Sequence, residues 1–337
     1  MRSLALMAND YQFWMGGILA TQLEEITDDP KKVDQGGFWA ALISFEGVRT
    51  FARFSKVEER EFPHSQWEPI GSAWHSSINQ KSYIDYVSRI REAISLGGVY
   101  QVNACRELSN TVEDGSLTLD GLFSKLLQEN PAPYASYLSI PGIEIASASP
   151  ELFLSRSGGV IKTSPIKGTI RENETAFGEK DKAENLMIVD LMRNDISQIC
   201  EPGSVEVSAL FRQEKHPGIT HLVSDIEGTL KKEVSWSEIF KATLPPGSVS
   251  GAPKSSALSI IKEREVSPRG PYCGALGYIH GDRAELAVAI RTFWTTGDKY
   301  LRYGTGAGIT WGSDPQAEWE ETQLKARHLI SIAGGEL

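Results

Sequence analysis

The chain has 337 residues, 40% of them hydrophobic, which suffices for one large domain or two ordinary ones. Its 34 Lys and Arg stand against 44 Asp and Glu, and a net charge of -10 argues against non-specific nucleic-acid binding. Cys105, Cys200 and Cys273 are odd in number and far apart, with no CxxC spacing, which argues against a zinc site or a disulfide framework. The opening "MRSLALMANDYQFWMGG" lacks a long apolar region and a small-residue cleavage site, and no apolar run approaches a membrane span. The expectation is a soluble cytoplasmic protein with neither membrane nor nucleic acid as a partner.

In chain order, the first ~75 residues are irregular in pattern, apart from a strand in "GGFWAALISFEG" and its hairpin partner "FARFSKVEER". "KSYIDYVSRIREAISLGG" spaces Tyr83, Val87, Ile90 and Ile94 as a helix does and closes on Gly97 and Gly98. "VYQVNACREL" reads as a strand with Gln101 and Asn103 on one face and Tyr100, Val102 and Ala104 on the other. A helix in "LDGLFSKLLQENP" stops before Pro131, and four strands follow in "YASYLSI", "IEIASAS", "LFLSRS" and "VIKTSP". Next come a helix in "KAENLMIVDLMRND", strands in "SVEVSALF" and "ITHLVSDIEGTL", and helices in "WSEIFKATL" and "APKSSALSIIKERE". The turn signals "HGDRA" and "TGDK" mark hairpins among "CGALGYIH", "AELAVAIRTFW" and "YLRYGTGAGIT", and a final helix runs from about Asp314 to Ile332. Helices alternate with pairs of strands, which favours α+β layering with antiparallel sheets over a doubly wound parallel sheet. The sole candidate boundary lies near residue 76.

Several groups could carry chemistry. Asp181 and Glu184 are three apart on one helix, and Glu318 and Glu321 three apart on the last, with Lys325 one turn on. Two such helices could clamp a hard cation such as Mg²⁺, or they are ordinary solvated faces. "PPGSVSGAPK" and "YGTGAGI" could present backbone N–H groups to an anion, or be tight turns. Glu151 lies between strands, whereas His221 and Arg291 lie inside strand patterns, where a polar group must be paired or exposed. Lys167 sits in "TSPIKGT", read as a turn, where a lysine is usually a solvated charge.

The order of segments is more specific than any one of them: "VYQVN", "SASPELFL", "PIKGT", "AENLMIVDLMRND", "THLVS", "PGSVSGAPK", "GALGYI", "AIRT", "GTGAGI", "EWEETQLK". Over roughly residues 76 to 333 the chain resembles the chorismate-utilising enzymes, which include anthranilate, aminodeoxychorismate, isochorismate and salicylate synthases. The resemblance implies an α+β fold of two orthogonally packed, antiparallel-rich sheets with helices outside, in α/β/β/α layers. Residues 1–75 would then be a short segment integrated into that fold, and residues 76–337 the catalytic domain. It also implies chorismate as substrate and Mg²⁺ as cofactor. Glu184 and Glu321 match the metal ligands, with Asp181 and Glu318 as carboxylates behind them. Tyr272, Arg291, Lys325 and the Gly306, Ala307 and Gly308 backbone match positions that hold the substrate carboxylates. Gln101, Gly168, Thr169 and Ser250 fall in motifs that line the same site, Ser250 keeping a hydroxyl where Thr is usual. Glu151 matches the acid/base beside the C4 hydroxyl, and His221 a histidine near the ring.

Two positions separate the chemistries within the family. Isochorismate and salicylate synthases have a water-activating Lys where this chain has Gln101, and anthranilate synthases have "PIAGT" where this chain has "PIKGT". The latter is the form seen in aminodeoxychorismate synthases. The resemblance therefore implies that Lys167 attacks C2 while Glu151 protonates the departing hydroxyl, and that ammonia then adds at C4. The product would be 4-amino-4-deoxychorismate, on the route to p-aminobenzoate and folate. Such a lysine needs burial or a nearby cation to lower its pKa. No cysteine lies in a "GxCxG" elbow, so ammonia is expected from a separate glutamine amidotransferase. The alternatives are anthranilate synthase component I and a non-catalytic chorismate- or tryptophan-sensing subunit. "PAPYAS" matches one wall of the tryptophan site of longer relatives, whose "LLES"-like segment has no counterpart found here.

Overall fold

The computed structural model describes residues 11–111, 117–171, 177–216 and 219–337. The chain begins with β1 (Gln12–Met15) and β2 (Ile18–Thr27), followed by α1 (Pro30–Val33), β3 (Phe38–Ile43), β4 (Arg49–Glu59) and β5 (His75–Ser76). Then come α2 (Gln80–Ser95), β6 (Gln101–Thr111), α3 (Asp120–Glu129), β7 (Tyr134–Ile140), β8 (Ile143–Ser149), β9 (Leu152–Ser157), β10 (Val160–Ser164) and β11 (Ile166–Arg171). The second half holds α4 (Glu179–Ser197), β12 (Glu206–His216), β13 (Ile219–Thr229), α5 (Trp236–Thr243), a 3₁₀ turn (Gly247–Val249), β14 (Gly251–Ala252) and α6 (Lys254–Arg264). It closes with β15 (Ala275–His280), β16 (Arg283–Val288), β17 (Thr292–Thr295), β18 (Tyr300–Ile309) and α7 (Pro315–Ala333).

All strand pairings are antiparallel, and they form one continuous hydrogen-bonded network with two arms. The first runs from β6 through β18, β17, β8 and β7 to β1, with β5 and β14 short pieces on β6. The second runs from β2 through β4, β3, β15, β16, β9 and β10 to β13, which also carries β11 and β12. The β1–β2 hairpin joins the arms. The larger core draws on both, packing Val102, Ala104 and Ile145 of the first with Trp39, Ile43, Leu276 and Leu286 of the second. A second core lies beneath α3 and α7, around Leu122, Phe123, Leu126, Leu329 and Ile330. The architecture is thus α+β with antiparallel sheet and helices, as the alternation of strand pairs and helices leads one to expect. Among the described residues, no helix is long and apolar enough to cross a membrane.

Five local readings need correction. The first 75 residues are more regular than their pattern suggests: β1 and β2 pair over four positions, but β2 beyond Ala20 is only half-buried, so no apolar run betrays it. "AELAVAIRTFW" is not one strand. It breaks at Ala289–Arg291, where the chain leaves one arm for the other, and Arg291 takes φ +52°. "PIKGT" is a bulged strand and not a turn. "YGTGAGI" is not a turn but the body of β18, paired with β6 along its length. Its glycines permit close packing: a Cβ on Gly304 would lie 2.1 Å from Cγ of the Tyr272 ring, and one on Gly306 2.6 Å from Cys105 Sγ. Tyr100, expected on the face of Val102, precedes β6 and is exposed, while Gln101 to Arg106 are buried on both faces.

This packing makes Gly304 a sharp test. Gly304→Ala should lower stability by about 1–3 kcal/mol, the usual cost of overpacking a core. Urea unfolding followed by far-UV circular dichroism measures it, and an unchanged midpoint would show that the Tyr272 ring yields freely.

Candidate active site

The site forms where the chain crosses between the arms. One crossing, from β8 to β9, carries Pro150 and Glu151; the other, from β16 to β17, carries Ala289 to Arg291. Backbone groups that leave a ladder need partners, and here the crossings supply them to each other. Val288 N donates to Glu151 O at 3.0 Å, and Ala148 N to Arg291 O at 3.0 Å. Ser149 Oγ donates to Val288 O at 2.6 Å and accepts from Glu151 N at 3.2 Å. Glu151 is therefore rigid, and it is only 4% exposed. Burial pushes its carboxyl up to about 7, against the opposing pull of a Ser248 hydrogen bond, Lys167, the Ile166 N–H and Arg291.

Lys167 owes its position to a bulge. Ile166 pairs with Val223 and Thr169 with His221, so β11 spends one residue more than β13 between these pairs. A bulge re-aims the side chains it carries. Gly168 takes φ +87° there, and a Cβ on it would meet Asp181 Cβ at 2.9 Å, so the start of α4 packs directly on the bulge. Asp181 accepts from Gly178 N at 3.0 Å and fixes that helix start. The half-buried Lys167 has its amine pushed below its ordinary value by burial, with Lys325 acting the same way and Glu184, Glu151 and Glu321 opposing. Both means of lowering a lysine that the sequence left open, burial and a second cation, act here. Two residues on, Thr169 Oγ1 lies 2.8 Å from His221 Nδ1 on the neighbouring β13.

Two helices bring carboxylates. Glu184 lies on the first turns of α4, its side chain 20% exposed, with Lys180 Nζ at 3.8 Å. Its neighbour Asn185, which sequence reasoning passed over, pins α4 to β13: Nδ2 donates to Leu222 O at 3.2 Å and Oδ1 accepts from Ser224 Oγ at 2.6 Å. Glu321 on α7 pairs with Lys325 at 2.6 Å, and Lys325 Nζ also donates to Gly306 O at 3.3 Å. Burial pushes the Glu184 carboxyl up and Asp181 and Glu321 add to this, against Lys167 and Lys180. For Glu321 burial acts upward too, but Lys325, Lys180 and Lys167 together hold it below its ordinary value. Burial raises Glu318, which is 7% exposed, against a Ser313 hydrogen bond. Among the described residues, no three Asp, Glu, His or Cys side chains converge into a ready metal cage. Glu184 and Glu321, close enough to repel each other, offer two hard oxygen donors to a divalent cation whose remaining ligands would come from solvent or substrate.

The remaining candidates line the surroundings. Arg291 has its guanidinium lowered by burial, against Tyr303 and Glu151. Tyr272 stands over Gly304, and burial beside Cys273, Cys105 and Tyr303 raises its phenol. Gln101 is fully buried, has no hydrogen-bond partner on its amide, and lies against Gly308. Ser250 Oγ donates to Pro246 O at 3.0 Å, within its own turn. Ser248, two residues before it, is the hydroxyl that reaches Glu151, and no local pattern distinguishes the two.

Residues 30–331 match a family model described as chorismate binding enzyme. The match starts upstream of the motif-bearing region 76–333, taking in β3 and β4, which carry no chemical motif but pair into the network. The chain is 38% identical over 275 residues to anthranilate synthase component 1 of Saccharolobus solfataricus, covering 78% of this chain and 64% of that one. It is 33% identical over 302 residues to aminodeoxychorismate synthase component 1 of Klebsiella aerogenes, covering 86% and 66%. The alignments to the first relatives span 55–64% of those proteins' length. In fold, it is similar to anthranilate synthase component I from Streptococcus pneumoniae, with TM-score 0.79, 24% identity and coverage of 96% and 90%. It is also similar to a putative 2,3-dihydroxybenzoate-specific isochorismate synthase from Bacillus anthracis, with TM-score 0.82, 20% identity and coverage of 96% of both.

The Glu151 carboxyl gives a stability test independent of any substrate. A carboxyl raised from 4.5 to about 7 in the folded state stabilises the fold fully below the lower value and loses that contribution as pH rises through the upper one. Relative to Glu151→Gln, the wild-type chain should therefore lose about 3 kcal/mol between these two pH values. Denaturant unfolding of both proteins across this window measures the difference, and parallel curves would mean that the carboxyl is ionised throughout.

Proposed function

This chain belongs to the chorismate binding enzyme family, and we propose that it aminates chorismate at C4, as an aminodeoxychorismate synthase component I. The single observation that carries this reading is Lys167, held by the β11 bulge beside Glu151, with its amine driven toward the neutral form. A neutral amine is a nucleophile, and a carboxyl near 7 is poised to give and take a proton at neutral pH.

The Lys167 amine forms a bond to C2 of chorismate, the C1=C2 and C5=C6 double bonds shift to C1=C6 and C4=C5, and the C4 hydroxyl leaves as water with the proton of Glu151. The carboxylate takes back the proton that the attacking nitrogen sheds. Ammonia next bonds to C4, both double bonds return to C1=C2 and C5=C6, and the lysine leaves C2 with a proton from Glu151. The new C–N bond sheds a proton in turn. The net change is chorismate and ammonia to 4-amino-4-deoxychorismate and water. Arg291, Lys325 and the buried backbone of β18 supply cationic and polar partners for a dianionic substrate. Glu184 and Glu321 would hold Mg²⁺, which when bound supplies positive charge to a substrate carboxylate. Ammonia would come from a separate glutamine amidotransferase.

A second reading has its own support, because the relatives 36–38% identical to this chain are anthranilate synthase components. The products separate the two: 4-amino-4-deoxychorismate keeps the enolpyruvyl group, whereas anthranilate formation releases pyruvate.

Incubation with chorismate, Mg²⁺ and ammonium, followed by mass analysis, should yield the C4-aminated product without pyruvate. Lys167→Ala should lower its formation at least a thousandfold while chorismate binding changes less than tenfold. Withholding ammonia should leave an adduct on Lys167 of the substrate skeleton less water. Wild-type C4 amination by Lys167→Ala, with no adduct on peptide mapping, would overturn the nucleophile reading.

Glu184→Gln and Glu321→Gln should each abolish turnover and weaken Mg²⁺ binding at least tenfold by calorimetry, since each removes a charged ligand. Normal turnover in excess chelator would show these carboxylates to be solvated helix faces.

A further inference from the structure

A cleft of about 180 Å³ opens at the opposite end of β8 from Glu151. Residues 144 to 149 of β8, roughly 17 Å of strand, separate it from the crossing that carries Glu151. The polar side of the cleft is a row across three strands: Ser139 pairs with Glu144 between β7 and β8, and Glu144 with Thr295 between β8 and β17. Residues paired in this way present their side chains on one face.

Two features of this row call for a ligand. Thr295 is 4% exposed, yet its hydroxyl has no hydrogen-bond partner. An unpaired buried hydroxyl costs stability and is uncommon. Glu144 makes two hydrogen bonds, from the Tyr137 hydroxyl and from Leu119 N at 2.9 Å, and both fall on Oε1. Its Oε2 takes neither, and Glu144 lines the cleft. Burial, with Asp120 nearby, pushes this carboxyl up in spite of those bonds. The other carboxylate at the rim, Asp298, is already matched by Arg302 and by Tyr300 N. Among the described lining residues there is no Lys, Arg or His, and Leu117, Ile140 and Ile143 form an apolar wall.

We propose that this cleft binds a small primary ammonium ion with a short apolar body. The ammonium has three donors and no acceptor, which suits the Thr295 hydroxyl oxygen, Glu144 Oε2 and the Ser139 hydroxyl oxygen. The apolar body lies against Ile140, Ile143 and Leu117. A carboxylate ligand meets like charge here, and an alcohol of the same shape leaves the Glu144 charge unmatched. The inference is independent of the chemistry assigned to Lys167.

The test uses isopentylamine, with isopentanol and isovalerate as controls of similar shape, in calorimetric titrations of the full chain near neutral pH. The amine should bind in the millimolar range or tighter, and both controls at least tenfold more weakly. Thr295→Val and Glu144→Gln should each weaken amine binding at least tenfold. Without ligand, Thr295→Val should raise Tm by about 2 °C, because it removes an unpaired buried hydroxyl at constant shape. Absence of amine binding, equal binding of amine and alcohol, or unchanged binding by Thr295→Val would each overturn the proposal. A lowered Tm for Thr295→Val would overturn it as well, since Thr295 would then be serving the fold.

Discussion

The hydrogen bonds that tie the two crossings together are the constraint on which the site depends. A sheet network this long must turn between its arms, and the turns expose backbone groups that have lost their ladder partners. Ser149, Glu151 and Val288 satisfy one another, and Ala148 satisfies Arg291. Because these bonds join two crossings and not one loop to solvent, Glu151 and Arg291 are positioned by the sheet itself. Rigid elements hold functional side chains more closely than loops do. The positive φ of Arg291 is a local strain that this arrangement sustains.

Around that anchor, the electrostatics follow from burial. In water a glutamate and a lysine side by side ionise and pair. In this site burial dominates both groups, raising the acid and lowering the base, so each moves toward its neutral form. Environments that push titratable groups away from their ordinary values are the usual signature of acid–base work. The outer ring of charge behaves differently. Lys325 and Glu321 are half-exposed and paired, and their interaction is screened by solvent. In the proposed reaction the inner pair carries the chemistry, and the outer groups meet the charged ligand.

Shape complements charge at two glycines. Gly168 lets the start of α4 touch the bulge, so that Glu184 arrives beside Lys167, and Gly304 lets the Tyr272 ring lie on β18. Neither contact survives an added methyl without displacement. The unpaired hydroxyl of Thr295 is a different kind of departure from good packing, at a place the chorismate chemistry does not use.

Much of this was legible in the sequence. Helical spacing in α2, α4 and α7 and alternation in β7 to β10 are local patterns, and local patterns survive without tertiary information. The motif order carried the family, and with it Glu151, Lys167, Glu184 and Glu321 as a set. Other features were not legible, because they depend on partners far along the chain. The break at Arg291 arises from crossing between arms, although "AELAVAIRTFW" reads as one apolar strand. The bulge at Lys167 exists only against β13, more than fifty residues on. Ser248 and Ser250 look equivalent in "PGSVSG", yet one reaches Glu151 and the other its own turn. β2 hides because half-burial leaves no apolar run. The sequence by itself determined which elements form and which side chains could do chemistry, since these follow from spacing and residue type. Only the tertiary structure decided which groups meet and which lose their charge, since both depend on long-range pairing and on burial.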